Sequence, residues 1–316
     1  MTSKASNRRR GVPAAGYVNL SEIILRFTDA VESLLAVDFE FPFSVGSEGL
    51  RDCAADELHR GTLTTHALTR MATMQLYAVA AQCDLHRGMA AALTADKVFF
   101  SPYPLARTCV VTAAKAWFII SAPTRVDRLQ HYLNEELGAL YGAPWEFTDP
   151  DSTADITAKT DDLAAVGATA GLRLVPKKKT AWNSQAPHLV RADQEDGAKP
   201  PSESRIVRDV FEASGLGADQ VDKPYKLLSA ATHGRFIQSG VSESIPTGLS
   251  RFDGPKRGVH SSPGTTAKVT VLAAIATRTH LRALARYTDV AQEQIQDHLG
   301  APFREWCAAG GVEVPA

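Results

Sequence analysis

The run from Cys109 to Ala122 constrains this chain more than any other stretch. It is apolar apart from one charge, Lys115, and a few small hydroxyls. A bilayer span needs about 20 apolar residues, so this run is too short to cross one. Pro104 stands where a helix's first turn tolerates proline, and Pro123 where a helix stops. The run therefore reads as a helix, Leu105 to Ser121, that is apolar around most of its circumference. Such a helix has to be surrounded by others. The expected fold is all-α: a single multi-helix bundle with this helix at its centre.

Helical patterns account for most of the rest. Asn19-Leu20-Ser21-Glu22 has the form of a capping box ahead of Ile23, Ile24, Phe27, Val31 and Leu34. A short helix is expected near Glu48 to Arg60. Longer ones are expected over Thr62 to Thr94, Arg125 to Tyr141 and the alanine-rich stretch up to Gly171. Ser202 to Ser214 places Ile206, Val207, Val210 and Phe211 on one side. Thr265 to Arg286 is a clear helix, Tyr287 to Leu299 continues or follows it, and Phe303 to Ala308 is a short final turn. No internal repeat appears, and no pair of alternating strand patterns flanks a hairpin turn. One minor strand is expected near Leu172 to Val175. Residues 1–17, with Arg8-Arg9-Arg10, read as a disordered basic tail. Residues 18–316 read as one helical domain with two long irregular segments, about 172–202 and 234–264. Structureless segments of that length are uncommon in compact domains and are either ligand loops or disordered inserts.

Formal net charge is -1, which provides no global basic field for nucleic acid. The four cysteines, Cys53, Cys83, Cys109 and Cys307, are far apart and form no CxxC pair. That pattern argues against a disulfide framework or a cysteine zinc site and fits a reducing cytoplasm. No apolar segment follows the N-terminal arginines, so they do not open a secretory signal.

Candidate chemistry centres on Tyr225, Ser229 and His233, spaced four residues apart and followed by Gly234. On a helix they share one side. His233 would be the acid–base group, with Tyr225 and Ser229 orienting it or holding a substrate oxygen. The same wheel also describes an ordinary amphipathic surface helix, with Leu227, Leu228, Ala230 and Ala231 on the opposite arc. Arg107 joins the set because it opens the core helix and needs a partner if buried. Arg60 with His66 and Arg125 with His131 match the Arg–His spacing with which helical bundles of the HEPN type cut RNA. There the cation stabilises the phosphorane and the imidazole moves protons. Asp56 and His59 could lie on one helical face as half of a dimetal site, but no second acid-x2-His accompanies them. The segment from Leu172 to Val210 carries eight basic against five acidic residues. In it, Lys177, Lys178 and Lys179 could attract phosphates and Trp182 could stack on a base. No P-loop, dinucleotide fingerprint, HExxH or GxSxG is present.

Two motifs carry a resemblance. They are Pro102-Tyr103-Pro104-Leu105-Ala106-Arg107 leading into Ala113-Ala114-Lys115-Ala116-Trp117, and Tyr225-x2-Leu228-Ser229-x3-His233-Gly234. Together, over about residues 50 to 290, the chain resembles a group of all-helical actinobacterial proteins, loosely HEPN-like, whose domain has no assigned function. The resemblance implies a helical fold and a shared pocket around His233. It also implies a Glu four residues after Arg107, where this chain has Val111. The resulting expectation is a cytosolic helical bundle that binds an anionic ligand or RNA, with metal-free phosphodiesterase chemistry on His233 as its most concrete form. A non-catalytic interaction protein, homodimeric or not, and a small-molecule enzyme are the alternatives. No cofactor, metal or membrane partner is expected.

Overall fold

A computed structural model gives the architecture of residues 15–39, 43–95, 100–142, 152–176, 178–179, 184–194, 199–217, 220–233, 243–250 and 254–314. The fold is all-α. Its helices are α1 (Ala15–Asp38), α2 (Glu48–Cys53), α3 (Ala67–Thr94), α4 (Pro102–Ile120), α5 (Arg125–Gly142), α6 (Ser152–Thr169), α7 (Glu203–Ala213), α8 (Lys223–Thr232), α9 (Pro263–Thr288) and α10 (Gln292–Gly310). A 3-10 turn, Asp56–Leu58, links α2 towards α3. None of the described helices is long and apolar enough to cross a membrane.

Local chemistry sets the helix starts. The hydroxyls of Ser47, Ser202 and Ser262 accept the free N–H groups of Leu50, Arg205 and Thr265. Helix α3 is capped from a distance: the Asp56 carboxylate accepts Leu68 N–H at 2.7 Å and Thr69 N–H at 3.2 Å. Helix α1 begins four residues ahead of the expected capping box. Tyr17, expected in the tail, is instead helical and donates its hydroxyl to the Ser261 carbonyl. A Cβ on Gly16 would sit 2.9 Å from Pro263, so only glycine allows this approach. Residues 1–14 of the expected tail lie outside the described residues.

The centre of the bundle is α9, not the apolar helix α4. Nineteen of the 26 residues of α9 are buried, against ten of 19 in α4. Helices α1, α2, α3, α4, α7, α8 and α10 all pack against α9. Threonines concealed this. Thr270, Thr279 and Thr288 are buried, and each donates its hydroxyl to the carbonyl four residues back, at 2.8–2.9 Å. Self-satisfied in this way, a threonine can face a core that its hydropathy seems to forbid.

The irregular segments contain short antiparallel pairs. Strand β1 (Leu172–Val175) pairs with β4 (His188–Arg191), and β2 (Lys178–Lys179) with β3 (Ser184–Gln185). Strands β5 (Glu243–Ser250) and β6 (Gly254–His260) form a hairpin where an irregular segment was expected. The expected break before Phe303 is absent, because α10 runs through Pro302 to Gly310.

Two polar groupings cross the core. His86 of α3 lies 3.3 Å from the Cys109 thiol of α4, and His280 of α9 lies 3.1 Å from both Gln82 and Gln75 of α3. At the other end, Asp52 of α2 is 1% exposed and receives four donors. Arg128 donates through Nε at 2.7 Å and Nη2 at 3.1 Å, Arg125 Nε at 3.1 Å, and the Tyr287 hydroxyl at 3.1 Å. This carboxylate ties α2, α5 and α9 together.

Candidate functional site

The most enclosed of the described clefts lies between α4, α5, β4 and the approach to α7. It has a volume of about 290 Å³. Its floor is set by one long-range pairing. Asn134 of α5 accepts the Leu189 N–H at 2.6 Å and donates to the Leu189 carbonyl at 3.0 Å, and Gln130 adds a second donor to that carbonyl at 3.1 Å. The amide of Asn134 thus takes the place of a neighbouring strand and holds β4 against α5.

His131 sits in this cleft. Its ring stacks on Phe118 of α4, with centroids 3.9 Å apart and planes 16° from parallel. Its Nδ1 lies 3.1 Å from the Phe118 carbonyl. A carbonyl can only accept, so Nδ1 carries the proton and Nε2 of the neutral ring presents a lone pair. Burial pushes the imidazole below its ordinary value, against the opposing pull of the Phe118 carbonyl and Asp127. The ring is therefore a neutral acceptor near pH 7.

Charge surrounds it. Lys115 pairs with Glu135 at 2.6 Å, and Arg191 Nε reaches Asp127 at 3.2 Å. Burial alone would raise Asp127, but hydrogen bonds from Thr124 and Arg191 outweigh it and hold the carboxyl below its ordinary value. Lys199 is exposed at the cleft and makes no ion pair with a described residue. Among the described residues, three cations and two carboxylates line the site, and Lys199 is the cation in excess among them. Ile119, Leu189, Pro200, Pro201 and Ile206 supply apolar wall.

No family model, curated protein or solved structure matches the chain.

The residues nominated from sequence fall in several places. Arg107 and Tyr225 do meet, but around an acid. Glu203 Oε1 accepts Arg107 Nη2 at 3.3 Å and the Tyr225 hydroxyl at 3.2 Å, and the guanidinium lies 5.7 Å from the Tyr225 ring centroid. The carboxylate sought at position 111 thus comes from α7. Helix α8 buries Pro224, Leu228 and Ala231, and Ser229 is half-buried beside that face. His233 ends the helix, exposed, with no hydrogen bond from its side chain to a described residue. It lies two turns beyond Tyr225, a rise of about 12 Å. Lys177 and Trp182 lie outside the described residues, and Lys178 and Lys179 are described only as the backbone of β2.

The Arg–His spacings do not converge either. Arg60 pairs with Glu57 while His66 lies 3.6 Å from Asp56. Arg125 turns to Asp52 while His131 turns to Phe118. Arg125 and His131, six apart on α5, are about 120° apart around the helix, while Arg60 and His66 lie in the irregular stretch ahead of α3. Asp56 is occupied in capping α3, and His59 Nδ1 bonds Thr169 at 2.9 Å. No cluster of three metal-ligating side chains occurs among the described residues.

Proposed function

We propose that this chain binds a small anionic molecule bearing a hydroxyl or N–H donor, in the cleft between α4, α5, β4 and the start of α7. The observation that carries the reading is the orientation of His131. With Nδ1 committed to the Phe118 carbonyl, Nε2 is left as an acceptor in a cleft whose described lining carries three cations and two carboxylates. An anionic group would lie towards Lys199 and a donor against Nε2. A planar ligand could also extend the Phe118–His131 stack. The cleft's size suits a metabolite better than a polymer strand. Any proton-transfer chemistry, as in a phosphodiesterase, would find its base in the enclosed His131 rather than in the exposed His233. The four free thiols, three of them buried, suit a reducing cytoplasm.

Calorimetric titration with 3-hydroxybenzoate, lactate, adenosine monophosphate and orthophosphate tests this. At least one hydroxyl-bearing anion is expected to bind with Kd below about 1 mM. His131→Phe and Lys199→Ala are each expected to weaken it by about tenfold, the first through loss of a hydrogen-bond acceptor and the second through loss of a charged contact. Binding should weaken as salt rises. Wild-type affinity in His131→Phe, or no binding of any of the four, would reject the reading.

A further inference from the structure

The wall of the cleft that carries Lys199 is held from outside the cleft. Helix α7 is anchored by buried Ile206, Val207, Val210 and Phe211. The residues just ahead of it are not anchored in this way: Lys199 and Pro200 are exposed and Pro201 is half-buried, although all three line the cleft. Their position depends on the first turn of α7. Two devices fix that turn. One is local, the Ser202 hydroxyl accepting Arg205 N–H at 3.3 Å. The other is long-range: Glu203, two residues beyond Pro201, is gripped by Arg107 of α4 and Tyr225 of α8 through the same Oε1. Helix α4 also supplies the cleft's Lys115, Phe118 and Ile119. A bond from α4 to Glu203 therefore fixes the strap relative to the opposite wall of the same cleft.

We propose that Arg107, Tyr225 and Glu203 form a latch that holds the Lys199–Pro201 strap in place, which makes them positioning residues for ligand binding. The inference rests on the reading of the cleft as a ligand site. None of the three lines the cleft, so their effect reaches the ligand through Lys199. The Arg107 side chain is 24% exposed and that of Glu203 37%. A pair this open holds its partner only moderately, so an effect of about fivefold is expected rather than an abolition.

Hydrogen exchange on the unliganded protein tests the latch directly. In Glu203→Ala, the amides of Arg205 and Ile206, which are bonded to Ser202, should exchange about fivefold faster, while those of α9 and the melting temperature stay unchanged. Tyr225→Phe removes one hydroxyl and leaves the packing intact, so it should give a smaller rise in the same amides. Glu203→Gln, which keeps an acceptor for Tyr225, should recover part of the protection. Affinity for 3-hydroxybenzoate, or for whichever of the four anions binds the wild type, should fall in the same order. Unchanged exchange at Arg205 and Ile206 in both Glu203→Ala and Tyr225→Phe overturns the latch. Faster exchange with wild-type affinity overturns its positioning role. If the wild type binds none of the four anions, the cleft reading has failed, and the exchange result still decides whether the latch exists.

Discussion

His86 and His280 are enclosed in the core, and no water-facing path offsets the cost of charging them. Burial pushes both imidazoles down to about 3 from the ordinary 6.5. The unfolded chain therefore takes up protons between pH 6.5 and pH 3 that the native chain refuses. The stability these residues contribute is complete above pH 6.5 and is lost as pH falls through that window. His86 also keeps an Nδ1 with no partner among the described residues. A buried polar atom left in this way costs about 1–3 kcal/mol. His86→Leu should accordingly fold with near wild-type stability at pH 7 and lose less melting temperature than the wild type on going to pH 4. Parallel melting curves for the two proteins across that range would show that His86 does not titrate on unfolding. At this scale the sequence was partly readable. His131 stood out, but with Arg125 as its supposed partner, because spacing says nothing about which way a helix turns each side chain. Glu203 was passed over as one acid among several in a mixed segment. Its partner Arg107 is 96 positions away, and no local pattern announces a pairing of that range.

Among the elements, α2 is short enough to need outside help. Its six residues are held by the burial of Asp52 under Arg128, Arg125 and Tyr287. The two arginines differ in what they contribute. The Arg128 side chain is 5% exposed and meets the carboxylate through two nitrogens, whereas that of Arg125 is 36% exposed. Asp52→Asn would leave Arg128 buried with only the half-exposed Glu48 as counter-ion. Breaking a buried pair of this kind costs about 3–5 kcal/mol. Arg125→Lys should cost less than about 1 kcal/mol. Urea unfolding of both variants measures the contrast, and similar small losses in the two would mean that the buried charge is not what secures α2. The helices themselves were legible because a buried stripe repeats at the helical period, as Ile206, Val207, Val210 and Phe211 show. Of the strands, only β1 was legible, at Leu172–Val175 where one was expected. In β4, His188, Leu189 and Val190 are all buried, so no alternation marks it, and its outer edge is satisfied by Asn134, a residue of another element.

For the molecule as a whole, the decisive fact is how completely α9 is enclosed. A helix covered over most of its surface exchanges its amide protons chiefly when the elements around it open. The amides of α9 from Val269 to Leu284 should therefore be the slowest in the protein, and those of α6, which packs on α5 and β1 and bonds the segment from His59 to Thr64, should exchange sooner. Native-state exchange followed by mass spectrometry checks the order. An α9 that exchanged together with α6 would mean that the bundle opens in two independent parts. The all-α class followed from the apolar run in α4, but the identity of the central helix did not, since alanines and self-bonded threonines make α9 look milder than its neighbours. The position of α9 in the chain has a further consequence, for synthesis. Helices α1, α3 and α4 leave the ribosome with apolar faces whose partner is encoded some 150 residues or more after them. At about 5–20 residues per second, those faces stay uncovered for roughly 8 seconds or longer. During that interval the nascent chain is a natural client for factors that shield hydrophobic surface, and its consolidation waits on the emergence of residue 288.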